Sequence, residues 1–244
     1  YRDLSHLNIS QKNSEEFKIQ EYVANEIFNI YEKVSFKMHP SIVDIRPFLW
    51  KNYHSSDDGY LLDLHYTCYI DISDFSQNKS LNELKIYKNA SSARRQEIRY
   101  AIKKNVKTTL STDVYMFINF FQMTFDRQDI TLDKVFLRDM LIIIKNLIEN
   151  NACILLQSAT DSGRVGSMAV FLLGHNTAYY LFGANDPDMR NQHTGTAVIW
   201  DSFHILSEMN INTVDLEGIN SPNRGWFKTS FGGRIIPYYK ITKS

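Results

Sequence analysis

Cysteine is scarce. The chain of 244 residues has two, Cys68 and Cys153. They stand far apart in apolar, strand-like runs, so they read as reduced core residues and not as a disulfide frame or a metal site. Long apolar runs are missing too. The best, Met140 to Ile148, is broken by Lys145 and Asn146, well short of the roughly 18 residues a membrane helix needs. There is no excess of either charge: Lys and Arg total 27, Asp and Glu 27. Nucleic-acid binding would then have to come from a local patch. No signal peptide opens the chain, and it starts at Tyr1 in place of an initiator Met, so Tyr1 is not expected to be the native start. The expectation is a cytoplasmic enzyme or binding protein. Common chemical motifs are also missing. There is no G-x-x-x-x-G-K-[ST] and no G-x-G-x-x-G. Gly163-Arg164-Val165-Gly166-Ser167 lacks the spacing of a nucleophile elbow. The histidines are scattered, and nothing completes a calcium loop around Asp186 and Asp188, so no metal is expected.

What is present is ordinary globular composition, 43% hydrophobic and 22% charged, with enough chain for a real core. Apolar residues near helical spacing predict a helix over Ser14–Val34. A short strand (Ser35 to His39) and a compact aromatic segment with Asp44, Arg46 and Trp50 follow. An ion pair under an aromatic lid suits that segment. Tyr60 to Ile72 alternates like a strand, and Asp71 to Lys79 reads as a polar turn. Ser92 to Val106 predicts a basic helix with Arg94, Arg95, Arg99, Lys103 and Lys104, and Lys107 lies beyond it. That helix either contacts tRNA, CoA or a nucleotide-sugar diphosphate, or is a solvated face. Helices over Thr112–Phe125 and Leu132–Asn150 come next. A meander of strands follows over Ala152–Thr160, Val165–Leu173 and Ala178–Gly183. A polar loop then leads to a helix (Gly195–Met209), a strand (Thr213–Glu217), a helix opened by Ser221-Pro222 and a strand (Arg234–Ile241). The order is mixed α/β and differs from a repeating βαβ array.

The segment Gln192-His193-Thr194-Gly195-Thr196-Ala197 lies between the third meander strand and an amphipathic helix. Free N–H groups in a first helical turn, the positive end of the helix dipole and small residues make such a terminus a pyrophosphate site. An ordinary helix start capped by Thr194 would give the same pattern. The pattern Gln192-x-x-Gly195-x-Ala197 resembles the Q/R-x-x-G-x-G/A motif of the GNAT acyltransferases, whose loop and helix bind the pyrophosphate of acyl-CoA. Asp215-Leu216-Glu217-Gly218 and Trp226-Phe227-Lys228-Thr229-Ser230-Phe231-Gly232-Gly233 resemble the closing signature of the Fem-type branch of that superfamily. That branch has tandem GNAT-like domains and includes aminoacyl-tRNA-dependent peptidyltransferases of cell-wall synthesis. Residues 93–104 resemble the basic helix that opens its second domain.

The resemblance implies a mixed α/β GNAT-like fold in tandem. Residues 1–91 would be a partial first domain and residues 92–244 the second, acyltransferase domain. It implies a donor site at Gly183, Ala184, Gln192, His193, Thr194, Gly195, Thr196 and Ala197, with acetyl-CoA or another acyl-CoA as co-substrate. In this family the central strand splays at a bulge, and Leu181-Phe182-Gly183-Ala184 is the matching segment; Gly183 suits a bulge, though a plain strand end is the alternative. Glu217, at the end of the strand after the motif helix, is the candidate general base, with Asp215 on the same face as its backup. Either carboxylate would equally serve as a turn residue or a hydrogen-bond acceptor. Lys228 takes a substrate-contacting role by resemblance, with Phe227 beside it, and Arg224 is a weaker phosphate candidate. A plain helix lysine is the alternative. The region Asn220 to Trp226 holds no Tyr, so the tyrosine acid that some GNAT enzymes place there is missing. Tyr238 and Tyr239 are read as last-strand residues. Three functions follow: acyl transfer from acyl-CoA to an amine, Fem-type peptidyl transfer from aminoacyl-tRNA, or a GNAT-like module that binds without turnover.

Overall fold

The computed structural model describes residues 3–55, 58–77, 79–127 and 129–243. Tyr1 and, inside the expected polar turn, Asn78 lie outside them. In chain order the first elements are α1 (Ile9–Ile30), β1 (Val34–Lys37), α2 (Arg46–Leu49), β2 (Leu61–Asp71), α3 (Lys85–Asn89), α4 (Ser92–Lys103) and β3 (Lys107–Ser111). Then come α5 (Val114–Asp126), α6 (Lys134–Glu149), β4 (Cys153–Ala159), β5 (Val165–Leu173) and β6 (Thr177–Asn185). The last are α7 (Thr194–Glu208), β7 (Thr213–Asp215), α8 (Pro222–Thr229) and β8 (Arg234–Lys243). Two 3-10 helices, Phe75–Gln77 and Pro187–Gln192, join them. The architecture is mixed α/β, as the sequence led us to expect. The chain divides into one unit of residues 1–66 with 236–244 and a second of residues 67–235.

In the first unit, α1 starts at Ile9, earlier than the Ser14 that apolar spacing suggests. The reason is a reciprocal cap: Asn8 accepts from the Gln11 N–H at 2.9 Å, and Gln11 accepts from the Asn8 N–H at 3.1 Å. β1 pairs antiparallel with β8, from Val34↔Lys243 to Lys37↔Lys240. The core is Ala24, Phe48, Tyr60 and Ile241, and the Tyr60 hydroxyl donates to the Ala24 carbonyl at 2.8 Å. Arg46 donates twice to Asp44, at 2.7 and 2.6 Å, and lies over the Phe17 and Trp50 rings. This is the expected ion pair with its aromatic lid.

In the second unit the strand order is β2-β7-β6-β5-β4-β3. All pairs are antiparallel except β6 with β7, which is parallel. Alternation along β4 and β5 separates two cores. Ile154, Leu156, Ala169 and Phe171 join Cys68, Ile70, Val214 and Leu216 against α3, α4 and α7. Cys153, Leu155, Met168 and Val170 pack instead on α5 and α6. Both cysteines are free and buried, and burial raises each thiol to about 11. Three details differ from expectation. α4 ends at Lys103, not Val106, because Asn105 takes a left-handed backbone and the Val106 N–H returns to the Ala101 carbonyl. The edge strand β3 and the short helix α3 have too little apolar periodicity to be read. Met209, which the apolar spacing of the Gly195–Met209 segment puts on its core face, is not core: it follows the end of α7 and is exposed.

Candidate functional site: a splayed strand pair beside a helix start

β6 and β7 pair over only three positions, ending at Tyr179↔Asp215. β6 continues to Asn185, still paired with β5, while β7 stops. The two parallel strands therefore part after Tyr179. Within the parted stretch the β5–β6 register slips, with Val170 opposite Phe182 and Phe171 opposite Tyr180. Leu181 is the extra residue. The bulge is thus in the expected segment but at Leu181, not at Gly183. Gly183 pairs normally with Ala169; a Cβ there would run into the Tyr180 hydroxyl. Its small size makes room for that phenol. Ala184 is buried opposite Met168.

The chain leaves β6 through the Pro187–Gln192 turn and enters α7. His193 precedes the helix in a left-handed backbone conformation (φ 61°), and no side chain caps the first turn. Thr194 does not act as the cap, contrary to the alternative reading above. Its hydroxyl is bonded to Ser167 Oγ at 2.8 Å, and Ser167 donates to Asn185 Oδ1 at 2.7 Å. Thr196 is also turned inward, donating to Glu97 at 2.6 Å and accepting from Arg94. Gly195 lies under Asn185, whose Oδ1 would sit 3.0 Å from a Cβ. Ala197 is buried. Gln192 accepts from Lys104 Nζ at 3.4 Å, and the same ammonium bonds the Asn191 carbonyl at 2.5 Å. The His193 ring lies 5.4 Å from Tyr100, and burial, with Lys104 nearby, lowers its pKa. Thr194, Thr196 and Ala197 are buried, and the N–H groups of Thr196 and Ala197 both return to the His193 carbonyl, at 3.1 and 2.9 Å.

At the other end of the parted stretch, the structure brings Asp215, Glu217 and Lys228 together. Asp215 is buried, accepts from the Thr67 hydroxyl and accepts from the Glu217 N–H at 2.7 Å. Glu217 does not share the strand face of Asp215. β7 ends at Asp215, and Glu217 has φ 57°, so strand alternation has already stopped. The Asp215 carboxylate holds that turn. Lys228 Nζ donates to the carbonyls of Glu217 and Gly218 at 3.3 and 3.4 Å and lies 5.2 Å from the centre of the Tyr180 ring. Burial pulls Lys228 down to about 8, although the Glu217 carboxylate pulls the other way.

Two tyrosines not recognised from the sequence join this cluster. Tyr69 and Tyr179 are both register partners of Asp215, one on each side. Burial and the Asp215 carboxylate push Tyr69 up to about 12, and the same causes raise Tyr179. Both phenols stay protonated at neutral pH and are available as donors. The only sequence signal for them is strand alternation, which does not name a partner strand. Tyr238 and Tyr239 lie on β8, as read from the sequence.

The remaining candidates are placed differently. Phe227 packs on Phe231 at 5.5 Å, and the Arg94 guanidinium lies over both rings, at 4.4 and 4.5 Å. Arg94 also donates to Ser230 Oγ at 2.9 Å and pairs with Glu97. It is buried, so it is neither a solvated nor a nucleic-acid-facing residue but a tie between α4, α7 and the end of α8. Arg99 donates to the Tyr87 hydroxyl at 2.8 Å. Arg224 is exposed and lies 6.0 Å from the Phe125 ring.

A family model described as an acetyltransferase (GNAT) domain matches residues 92–227, more than half of the chain. The chain belongs to the GNAT family. No curated protein matches it in sequence. Among solved structures, FemX is similar with a TM-score of 0.59 at 13% identity, covering 71% of this chain and 61% of FemX. A conserved protein of unknown function from Bacteroides thetaiotaomicron gives 0.64 at 11% identity, covering 93% of this chain and 75% of its own. At these identities the likeness is one of fold. The chain spans less than two thirds of FemX. Among the described residues, no helix of this GNAT protein is long and apolar enough to cross a membrane.

Proposed function

We propose that the protein is an N-acyltransferase that moves an acyl group, acetyl in the simplest case, from acyl-CoA to a primary amine of a small molecule, amino sugar or peptide. The observation that carries this reading is the parted β6–β7 pair. Its free stretch starts beside Asp215 at Tyr179 and ends at Asn185, next to Gly195. Six strand steps of about 3.3 Å separate these points, roughly 20 Å. A donor lying along this edge has its pyrophosphate at the α7 start and its acyl group near the carboxylates. The N–H groups of Thr194 and Gly195, with Gln192, would hold the anion, since those of His193, Thr196 and Ala197 are bonded within the turn. The donor supplies an activated carbonyl.

Glu217 takes the proton of the incoming ammonium, directly or through one water. The amine then attacks the carbonyl carbon and the C–S bond breaks. Lys228, with the N–H groups freed along β6, stabilises the oxyanion. A thiol of ordinary pKa, about 8.5, leaves as thiolate without a strong acid and takes up the second proton, which the nitrogen gives up as the amide forms, directly or through Tyr69 or Tyr179; this suits a site with no tyrosine in the next helix. Asp215 positions Glu217 through its backbone N–H. Phe227 and Arg224 flank the acceptor side of this reading. Residues 1–91 are then a partial first GNAT-like domain before a second that begins at residue 92, and the enzyme works in the cytoplasm with its donor.

The Fem-type alternative, with aminoacyl-tRNA as donor and a cell-wall precursor as acceptor, is favoured by the F-K pair at Phe227-Lys228. Calorimetry separates the two. Acetyl-CoA is titrated into the wild type and Gly195→Trp, with total tRNA as a parallel titrant. The proposal expects micromolar acetyl-CoA binding that the substitution abolishes, followed by acetylation in an amine screen. Salt-sensitive tRNA binding without CoA binding overturns it in favour of the peptidyltransferase. Binding of acetyl-CoA with no turnover of any amine leaves a non-catalytic module.

A further inference from the structure

A cavity of about 540 Å³ lies in the 67–235 unit and is lined by Phe75, Leu84, Thr108, Trp200, Asp201 and Ile205, with Lys79 and His204 beside them. None of these residues belongs to the acyl-transfer cluster. The volume falls in the range of small-molecule sites. Its aromatic wall is rigid: Phe75 meets Trp200 edge-on at 5.5 Å, Trp200 meets Phe203 at 5.9 Å, and Phe75 and Trp200 are 7% and 6% exposed.

One polar group stands out in that wall. Asp201 Oδ2 accepts from the Thr108 hydroxyl at 2.5 Å, and Thr108 in turn accepts from Ser158 at 2.6 Å. Thr108 and Ser158 are register partners on β3 and β4, so the sheet fixes this chain of hydroxyls. Among the described residues no donor reaches Asp201 Oδ1, and no lysine or arginine pairs with it. Burial raises its pKa to about 6. At neutral pH it is therefore an ionised carboxylate with half of its acceptor capacity unmet. The other charged groups nearby are already engaged. Lys79 lies 3.6 Å from Asp74, which also accepts from the Lys85 N–H. His204 lies 3.5 Å from Glu208. Tyr87, whose ring backs Trp200 at 5.8 Å, has its hydroxyl bonded to Arg99. Among the described residues, β3 reaches the carboxylate through the Thr108 hydroxyl, and β4 backs that hydroxyl with Ser158.

We propose that this cavity is a binding site for a small organic ammonium with an apolar body. The ammonium donates to Asp201 Oδ1, and the apolar body lies against Phe75, Trp200, Leu84 and Ile205. A carboxylate with an open oxygen next to aromatic faces favours a cation over a neutral or anionic ligand. The site is separate from the acyl-transfer cluster, so it stands or falls independently of the reaction proposed above.

The test uses phenethylamine as probe and 2-phenylethanol as its neutral counterpart. Binding is followed by calorimetry and by Trp200 fluorescence in a Trp50→Phe/Trp226→Phe background. Both replaced tryptophans are exposed, at 51% and 77%. The expected result is saturable binding of the amine in the millimolar range or tighter, with the alcohol at least about tenfold weaker. Asp201→Asn loses a similar factor, and lowering the pH through about 6 weakens the amine in the wild type. Ile205→Trp, which fills the cavity and leaves the carboxylate in place, removes binding and serves if Asp201→Asn does not fold. Equal affinity for amine and alcohol, an unchanged affinity in Ile205→Trp, or no saturable binding to the wild type overturns the proposal.

Discussion

Replacing Arg94 separates charge from packing at the junction of α4, α7 and α8. The guanidinium lies between the Phe227 and Phe231 rings and donates to Ser230, Glu97 and Thr196. Desolvated cation–π contacts contribute about 2 kcal/mol each at best, and a hydrogen bond from a charged group about 1.5–3 kcal/mol. Against these stands the cost of burying the charge, visible in the lowered pKa of Arg94. The Glu97 pair adds little, because Glu97 is 42% exposed. These contributions are not additive, and the net loss in Arg94→Ala comes to about 3–4 kcal/mol, including the space left between two rings. Arg94→Met keeps the volume and loses only the charge and donors, so it costs about 1–2 kcal/mol. Urea unfolding followed by circular dichroism measures both. If Arg94→Met is as stable as the wild type, the guanidinium contributes nothing net and the tie is a packing effect alone.

Two other substitutions have signs set by the structure. Burial holds Lys228 at about 8 in the folded protein, against 10.5 when exposed. Between these values the unfolded chain binds a proton that the folded one has lost, so stability rises as pH goes from about 8 to 10.5. Lys228→Met flattens that rise, and urea midpoints across this range measure it. Gly232 has φ 86°, and a Cβ there would meet the Asn89 and Ala90 backbone at 2.5–2.7 Å. Backbone cannot give way as a side chain can, so Gly232→Ala costs at least about 3 kcal/mol in the same assay.

Much of the fold is legible because its central strands are short continuous apolar runs bounded by turn residues. β4 and β5 carry apolar residues on both faces, and each face meets a different set of helices. β3 escaped notice because Lys107-Thr108-Thr109-Leu110-Ser111 shows one apolar side chain and earns its place only by pairing with β4. The start of α1 was misplaced because the Asn8–Gln11 cap is polar and apolar spacing does not see it. At the site, Asp215, Glu217 and Lys228 were legible from local motifs, and the structure brings them together. Tyr69 and Tyr179 were not, since register partners 146 and 36 residues away leave no local trace. Nor did the sequence show that Arg94 is buried while its neighbour Arg95 is only partly so.

The bond between Thr67 and Asp215 spans 148 positions of sequence, and this has a consequence for how the chain is made. β7 is the strand that joins β2 to β6, and it is among the last elements to be synthesised. Until Thr213 to Asp215 arrives, β2 and β6 each offer an unsatisfied row of backbone groups. Closing so long a loop carries an entropic cost before any contact rewards it. The three residues of β7 therefore bridge β2 to β6 and deliver the buried carboxylate in one event. A chain halted short of them has open strand edges and lacks the Asp215, Glu217 and Lys228 cluster, so aggregation and loss of function are expected to set in at the same point of truncation.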